Sequence, residues 1–200
     1  MEYLKPFKIG DITIVPNLRD YYKDLKEPII YIAKQYAFGS GTHETTYLAL
    51  EMINQYSLNN DIKLRSIADI GCGSGILSLF SYKLGARNIT SVDIDSDAVH
   101  CSLDNAKYND INLNNVILGN AKDLNNMNLK FDLVVANIET DILIEIIADL
   151  KKLLKENSYL ILSGILLEKE SSMNNVLREK KLKIIDRKRK NDWVALMLSL

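Results

Sequence analysis

Three glycines and an acid carry the first chemical signal in the chain. In "ADIGCGSG", Gly71, Gly73 and Gly75 fall at alternate positions, where an apolar run gives way to a helical one. Glycine there lets the backbone turn sharply and approach a ligand closely. The amides that open the following helix favour a negative group. Asp93 closes the next apolar run, 22 residues after Gly71 (93 − 71), near the ~20 at which a nucleotide-binding sheet sets an acid against ribose hydroxyls. A bland tight turn is the competing reading of the glycines, and the acid on the adjacent strand end weighs against it.

The spacing also excludes. A dinucleotide fingerprint needs a glycine where Ile76 stands, so a nicotinamide or flavin is disfavoured. A P-loop needs Gly-Lys-Ser/Thr after the glycines, and none follows. A nucleoside ligand without a pyrophosphate fits, and S-adenosylmethionine is such a ligand. Its amino-acid end would meet the glycine loop, with Asp69 just ahead of it, and its ribose would meet Asp93. Its adenine would lie near Asn120 and Ala121, although Asn120 reads equally well as a turn residue. Asp95 reads as the cap of a helix beginning at Ser96.

A second signal is "VVANIET", an apolar run that ends in Asn137. Open α/β sheets bind ligands at the carboxyl ends of their strands, so Asn137 stands where a reactive methyl would lie. Asparagine is also a common turn former. Methyl transfer from a sulfonium needs alignment and exclusion of water more than acid–base help. Neutralising a lysine amine at pH 7 costs roughly 4.6 kcal/mol, an α-amine only about 1 kcal/mol. Asn137 can accept from the amine without adding charge, whereas an aspartate would favour the ammonium, which has no lone pair.

The elements that must position these groups alternate strand and helix. "RSIADIG", "NITSVDID", "NVILGN", "FDLVVANI" and "SYLILSG" read as strands, with helices expected over 76–84, 96–109, 141–154 and 169–179. Near-continuous apolar strands suit a parallel sheet covered on both faces, and the alternation implies a doubly wound, Rossmann-like α/β fold. At the end, "KLKIIDRK" and "WVALMLSL" are joined so tightly that they must be antiparallel. Upstream, "FKIGDITIVP" reads as a hairpin around Gly10. "HETTYLALEMINQY" reads as an amphipathic helix with Leu48, Met52 and Tyr56 on one face, Thr42 as N-cap and Glu44 in its positive first turn. Residues 1–60 are expected to form this hairpin and a cofactor-covering flap and helix, within the same domain as residues 61–200.

Composition narrows the classes further. Of the 200 residues, 47% are apolar and 26% charged, with a formal charge of -1. This is globular and gives no global attraction to nucleic acid or anionic membrane. Cys72 and Cys101 make no CxxC pair, which disfavours a zinc framework or disulfide scaffold and fits a reducing cytoplasm. The start "MEYLKPFKIG" has no apolar signal region. His43 is nearly alone, His100 being the other histidine, so no metal is expected. His43 reads more readily as a first-turn polar residue than as a catalyst, and Cys72 as a small side chain in a tight turn.

Taken in order, "AFGSGTHETT", "DIGCGSGIL", "VDIDSDAV", "VVANI" and "LSGIL" resemble the bacterial ribosomal protein L11 methyltransferase (PrmA) family, from about Phe7 to the end, with Trp193 in keeping. "GCGSG" alone would mark only class I methyltransferases. The resemblance implies a seven-stranded fold that uses S-adenosylmethionine to methylate protein α- and ε-amines. By motif match, Thr46, Gly71, Asp93 and Asn137 correspond to cofactor contacts, and Phe38 and Thr42 to a segment closing over the cofactor. Members also carry an N-terminal domain that grips the ribosomal protein, and residues 1–37, ahead of "FGSGTH", are too few for it. The alternatives are therefore a protein-lysine methyltransferase with another target, such as an electron-transfer flavoprotein subunit, a small-molecule N-methyltransferase, or a non-catalytic ribosome-associated factor. "REKKLKIIDRKRK" has eight basic residues. It could touch ribosomal RNA or an acidic partner, but reads more readily as the solvated face of an edge hairpin.

Overall fold

The structure, a computed structural model, describes residues 5–16, 28–33, 43–58, 66–113 and 115–200. Seven strands form the main sheet: β4 (Ser66–Ile70), β5 (Asn88–Asp93), β6 (Asn115–Leu118), β7 (Phe131–Asn137), β8 (Leu154–Leu166), β9 (Lys183–Lys190) and β10 (Trp193–Ser199). Their order is β6-β5-β4-β7-β8-β10-β9. β4 pairs parallel with β5 and β7, β5 with β6, and β7 with β8. β10 runs antiparallel between β8 and β9, so the expected terminal hairpin is present and its second strand is the inner one.

The chain moves outward from β4 through β5 to β6, then returns to β7 on the other side of β4. The crevice at such a reversal is where sheets of this kind accept a ligand. The glycines follow β4 and Asn137 ends β7, so both signals from the sequence fall at this one reversal.

Alternate strand residues face opposite layers. Ile67, Leu133, Val135, Ile161, Ala195 and Met197 share one core with helices α1 (Glu44–Ser57) and α2 (Ile76–Lys83). Ala68, Val134, Ala136, Leu160, Leu162 and Leu196 share another with α4 (Ala121–Asn126), α5 (Thr140–Lys152) and α6 (Glu170–Glu179). Helix α3 (Ser96–Tyr108) contributes Ala106 to the first core. Each valine, leucine, isoleucine or methionine side chain fully buried here is worth about 1.5–3 kcal/mol.

A small sheet stands apart in pairing. β1 (Phe7–Ile9) and β2 (Ile12–Pro16) form the expected hairpin, with Gly10 at φ +56°. β3 (Ile29–Ile32) adds parallel to β2, a strand the sequence reading did not identify. Ile9, Ile12, Ile14, Ile30 and Ile32 join the same core as α1. Asn109, at the end of α3, fastens β3: its Oδ1 accepts from the Tyr31 amide (2.7 Å) and its Nδ2 donates to the Tyr31 carbonyl (2.7 Å).

Other boundaries moved modestly. α5 and α6 begin and end within a residue or two of expectation, a 3-10 turn at Leu167–Lys169 preceding α6. β8 begins four residues before "SYLILSG", its register shifting against β7 between Phe131 and Leu133. α4 was not foreseen. The basic run forms the edge strand β9, and much of its charge is already engaged. Arg187 pairs with Glu170 through two contacts, Lys188 lies 3.9 Å from Glu51, and Lys190 sits 3.6 Å from the Tyr47 ring centre. Among the described residues, no helix is long and apolar enough to cross a membrane.

Candidate active site

The glycine turn is built by backbone bonds and closed by Asp93. The amides of Gly71 and Cys72 both donate to the Val92 carbonyl, at 2.8 and 3.1 Å, and the Gly75 amide donates to Cys72 O at 2.8 Å. Gly73 donates to Asp93 Oδ2 at 2.9 Å. The other oxygen of Asp93 accepts from the Asp95 amide at 3.0 Å. Asp95 in turn caps α3, accepting from Asp97 N at 2.9 Å, as its position suggested. Gly71, Gly73 and Gly75 all have positive φ, the left-handed region that favours glycine. A Cβ on Gly75 would stand 2.4 Å from Ser102 Oγ, and one on Gly71 2.6 Å from the Ile138 side chain.

Asp69 sits beneath this turn, 1% exposed. Its Oδ2 accepts from the amide and hydroxyl of Ser78, at 3.2 and 2.7 Å, and that hydroxyl also meets Ser91 Oγ at 2.7 Å. Gly75, the N-cap of α2, has no side chain to offer, so Asp69 satisfies an amide in the first turn from the strand below. Burial pushes the Asp69 carboxyl up to about 6, the Ser78 hydrogen bonds opposing the rise and Asp93 adding slightly to it. Its second oxygen, Oδ1, is buried without a hydrogen-bond partner among the described residues.

Asn137 shows the same pattern at the neighbouring strand tip. Its Nδ2 donates to Thr46 Oγ1 at 3.2 Å, and its Oδ1 is buried without a partner among the described residues. Asp69 and Asn137 both meet helices of the α1–α2 layer, through Ser78 and Thr46 respectively. Two buried acceptors without donors, on adjacent strands at the fold's reversal, suit a ligand bringing N–H groups. Buried acceptors are seldom left bare, because each costs about 1–3 kcal/mol. The residues present therefore fit a donor carrying an ammonium beside Asp69 and an acceptor amine beside Asn137.

The stretch "HETT" proves to be the start of α1. His43, not Thr42, is the N-cap: its extended backbone (φ -71°, ψ 143°) lets Nδ1 accept from Thr45 N, and the same nitrogen meets Thr45 Oγ1 at 2.9 Å. An imidazole nitrogen two atoms from Cβ can reach the turn that a serine or threonine oxygen would otherwise satisfy. The His43 ring also packs edge-on against Trp193, 5.2 Å between centres. Glu44 Oε1 accepts from Asn191 Nδ2 at 3.1 Å. Ser163, on β8 opposite Asn137, donates its hydroxyl to the Thr45 carbonyl at 2.7 Å. Phe38 and Thr42, expected to close over a cofactor, lie outside the described residues.

Asn120 has a structural duty. Its side-chain oxygen accepts from Lys122 N at 2.9 Å and Asp123 N at 3.4 Å, while Asp123 Oδ2 accepts from Asn120 N at 2.8 Å. This reciprocal capping box starts α4. Any contact from Asn120 to a ligand falls to its amide nitrogen. Sequence reasoning passed over Ile94, which is 77% exposed directly after Asp93. The signal was present, an apolar residue between two acids in "VDID" with no strand left to bury it. Leu118, at the tip of neighbouring β6, is 59% exposed. His100 lies exposed on α3, and no group of three metal-ligating side chains gathers among the described residues. Cys72 is buried, and burial first, then Asp69 and Asp93, raises its thiol well above the ordinary value. It is therefore no nucleophile at neutral pH.

Comparison with known proteins supports the motif reading. The family model "Ribosomal protein L11 methyltransferase (PrmA)" matches residues 1–200. The chain is 37% identical over 192 residues to the ribosomal protein L11 methyltransferase of Campylobacter concisus, covering 96% of this chain and 65% of that protein. It is 35% identical over 196 residues to that of Caldicellulosiruptor saccharolyticus, covering 96% and 61%. The chain thus spans less than two thirds of the length of these relatives. A crystal structure of ribosomal protein L11 methylase from Lactobacillus delbrueckii subsp. bulgaricus superimposes with a TM-score of 0.85 at 32% identity, covering 97% of both chains. Matched over residues 1–200 by the family model and more than a third identical to these relatives, the chain belongs to the ribosomal protein L11 methyltransferase (PrmA) family.

Proposed function

We propose that the chain is an S-adenosylmethionine-dependent methyltransferase acting on protein amines, lysine ε-amines or N-terminal α-amines. Ribosomal protein L11, the substrate in the relatives' names, is the favoured acceptor. The observations that carry this reading are the meeting of the Gly73 amide with Asp93 and the buried Asn137 side-chain carbonyl, which has no hydrogen-bond partner among the described residues.

When bound, the donor supplies a sulfonium methyl that passes to the amine lone pair, its carbon–sulfur bond breaking as the carbon–nitrogen bond forms. The chain's residues bind, orient and exclude water. Asp93 accepts from the ribose hydroxyls while its amide bonds hold the glycine turn in shape. Asp69 Oδ1 accepts from the ammonium of the donor's amino-acid end. Ile94 and Leu118 offer apolar surface to the adenine, and Asn120 Nδ2 offers a donor to its edge. Asn137 Oδ1 accepts an N–H of the acceptor amine and so directs the lone pair. Because Asn137 is neutral, it does not favour the ammonium form, whose deprotonation already costs a lysine roughly 4.6 kcal/mol at pH 7.

A ribosomal substrate fits work in the cytoplasm. With Arg187, Lys188 and Lys190 of β9 engaged by Glu170, Glu51 and Tyr47, direct nucleic-acid binding is not part of this reading. The described parts of residues 1–60 are assigned to the catalytic domain, a reading supported by the burial of apolar residues of β1–β3 and α1 in the same core as the main sheet. The test is incubation with labelled methyl donor and a lysate lacking the enzyme, followed by mass spectrometry. Label on lysine or N-terminal amines of a large-subunit ribosomal protein supports the proposal. Label confined to small metabolites, or to none, refutes it.

A further inference from the structure

Asn105 lies on α3, fully buried, and its side chain joins two parts of the chain that are distant in sequence. Its Nδ2 donates to the Ser74 carbonyl in the glycine turn at 2.9 Å, and its Oδ1 accepts from the Ala33 amide, just past β3, at 3.0 Å. We propose that Asn105 is a positioning residue for the methyl donor, which sets the glycine turn that receives the donor's amino-acid end. This rests on the methyltransferase reading and names a residue that serves the same site from behind.

The direction of this side-chain amide is fixed by its partners. A backbone carbonyl only accepts and a backbone N–H only donates, so Asn105 fits in one orientation. Ser74 is 2% exposed, so its carbonyl has no water to turn to if Nδ2 is removed. In a planar trans peptide the C=O and the following N–H point in opposite directions. The Ser74 carbonyl therefore faces α3 while the Gly75 amide faces Cys72 O, 2.8 Å away. Fixing one end of that peptide fixes the other, and with it the curvature of the turn.

The turn also lies close against α3. A Cβ on Gly75 would stand 2.4 Å from Ser102 Oγ. Ser102 and Asn105 share a helix face at i, i+3 spacing, and that face backs the turn. Asp93 Oδ2 holds the turn at Gly73 and Asn105 holds it at Ser74, so consecutive residues are fastened from β5 and from α3. The two supports differ in kind. Asp93 is half-buried and is the proposed ribose ligand, whereas Asn105 is fully buried and acts through the turn.

Asn109, one helical turn further along α3, is the built-in comparison. Its side chain pairs with the amide and the carbonyl of Tyr31 on β3 and donates to the Asn105 carbonyl. Among the described residues it makes no hydrogen bond to the glycine turn. The same residue type on the same helix thus fastens β3 without holding the turn.

The experiment compares the wild type with Asn105→Leu and Asn109→Leu, which replace each amide by an apolar side chain of similar size. Urea unfolding reads stability. Calorimetry reads affinity for two probes: S-adenosylhomocysteine, which carries the amino-acid end, and methylthioadenosine, which lacks it. Both variants are expected to lose stability. Asn105→Leu is expected to bind S-adenosylhomocysteine about tenfold more weakly and methylthioadenosine nearly as the wild type does. Asn109→Leu should bind both probes nearly as the wild type does. Equal losses for the two probes in Asn105→Leu would make the residue a general support of the fold and overturn the proposal. So would an unchanged affinity for S-adenosylhomocysteine in that variant, or a loss of the same size in Asn109→Leu. Should Asn105→Leu fail to fold, Asn105→Ala and Asn109→Ala supply the same comparison. A wild type that binds neither probe would instead defeat the S-adenosylmethionine reading itself.

Discussion

The Gly73 amide and the Asp93 carboxylate meet at 2.9 Å, across 20 residues of chain and two adjacent strands. The same carboxylate holds the Asp95 amide that leads into α3. One acid thus sets the shape of the turn that, in the proposed function, receives the donor's amino-acid end, and the same acid is proposed to hold its ribose. Deleting the side chain removes both roles together.

Asp69 should make cofactor binding pH-dependent. Burial raises its carboxyl to about 6 in the folded chain, so it takes up a proton as pH falls through that value. A ligand ammonium at Oδ1 favours the ionised form, so binding releases a proton near pH 6. Calorimetry should show affinity for S-adenosylmethionine rising from pH 5 to 7 and then levelling. Asp69→Asn should lose that step and bind about tenfold or more weakly, because an amide nitrogen replaces an acceptor. A pH-independent affinity in the wild type would contradict this assignment.

The same group has a consequence for stability without ligand. A carboxyl raised in the folded state contributes fully below its unfolded value, and that contribution is lost as pH rises through the folded one. For Asp69 the window runs from its ordinary 3.8 to about 6. Comparing urea unfolding of wild type and Asp69→Asn across that window should show the wild type losing ground as pH rises. A difference that stays constant with pH would be the opposing result.

Gly164 and Gly85 both have positive φ, +87° and +103°, but different surroundings. A Cβ on Gly164 would stand 2.2 Å from the Ile138 carbonyl oxygen, whereas one on Gly85 would meet nothing within 4 Å. Gly85→Ala should cost only the backbone strain, about 1–2 kcal/mol. Gly164→Ala should cost more in chemical denaturation and should also slow methyl transfer, because Ile138 follows Asn137. Equal costs for the two variants would show that the close approach does not matter.

Asn137→Ala should slow transfer more than it weakens donor binding, by about tenfold or more in rate. Asn137→Asp should also be slow and should recover as pH rises, because the added charge favours the ammonium form of the acceptor. Rapid-quench turnover across pH checks both. A variant with normal turnover would remove Asn137 from the reaction.

Much of the fold could be read in the sequence because its inner strands are buried on both faces. "DLVVA" and "YLILS" are almost wholly apolar, and few other elements allow that. The glycine turn and Asp93 were readable because left-handed backbone and ribose recognition each restrict residue choice sharply. α4 was missed because it spans six residues and buries only Ala121 and Leu124, too short for a helical period to show. β3 was missed because it is only four residues long, "IIYI", too short for a strand period to show, and nothing in it marks its parallel pairing with β2. The cap at His43 was assigned to Thr42 because residue preference favours threonine there, while the imidazole's reach depends on local backbone. Thr46 could be matched by motif, but its contact with Asn137 joins residues 91 apart, which no local pattern encodes.

The most direct test of the joint site is calorimetric titration of S-adenosylmethionine into wild type, Asp93→Asn and Asp93→Ala. The wild type should bind one donor per chain. Asp93→Ala, having lost about 3 kcal/mol of charged hydrogen bonding, should bind roughly a hundredfold more weakly, and Asp93→Asn should fall between them. Wild-type affinity in Asp93→Ala would mean that the turn and the acid do not share a ligand, and the methyltransferase assignment of these residues would fall with it.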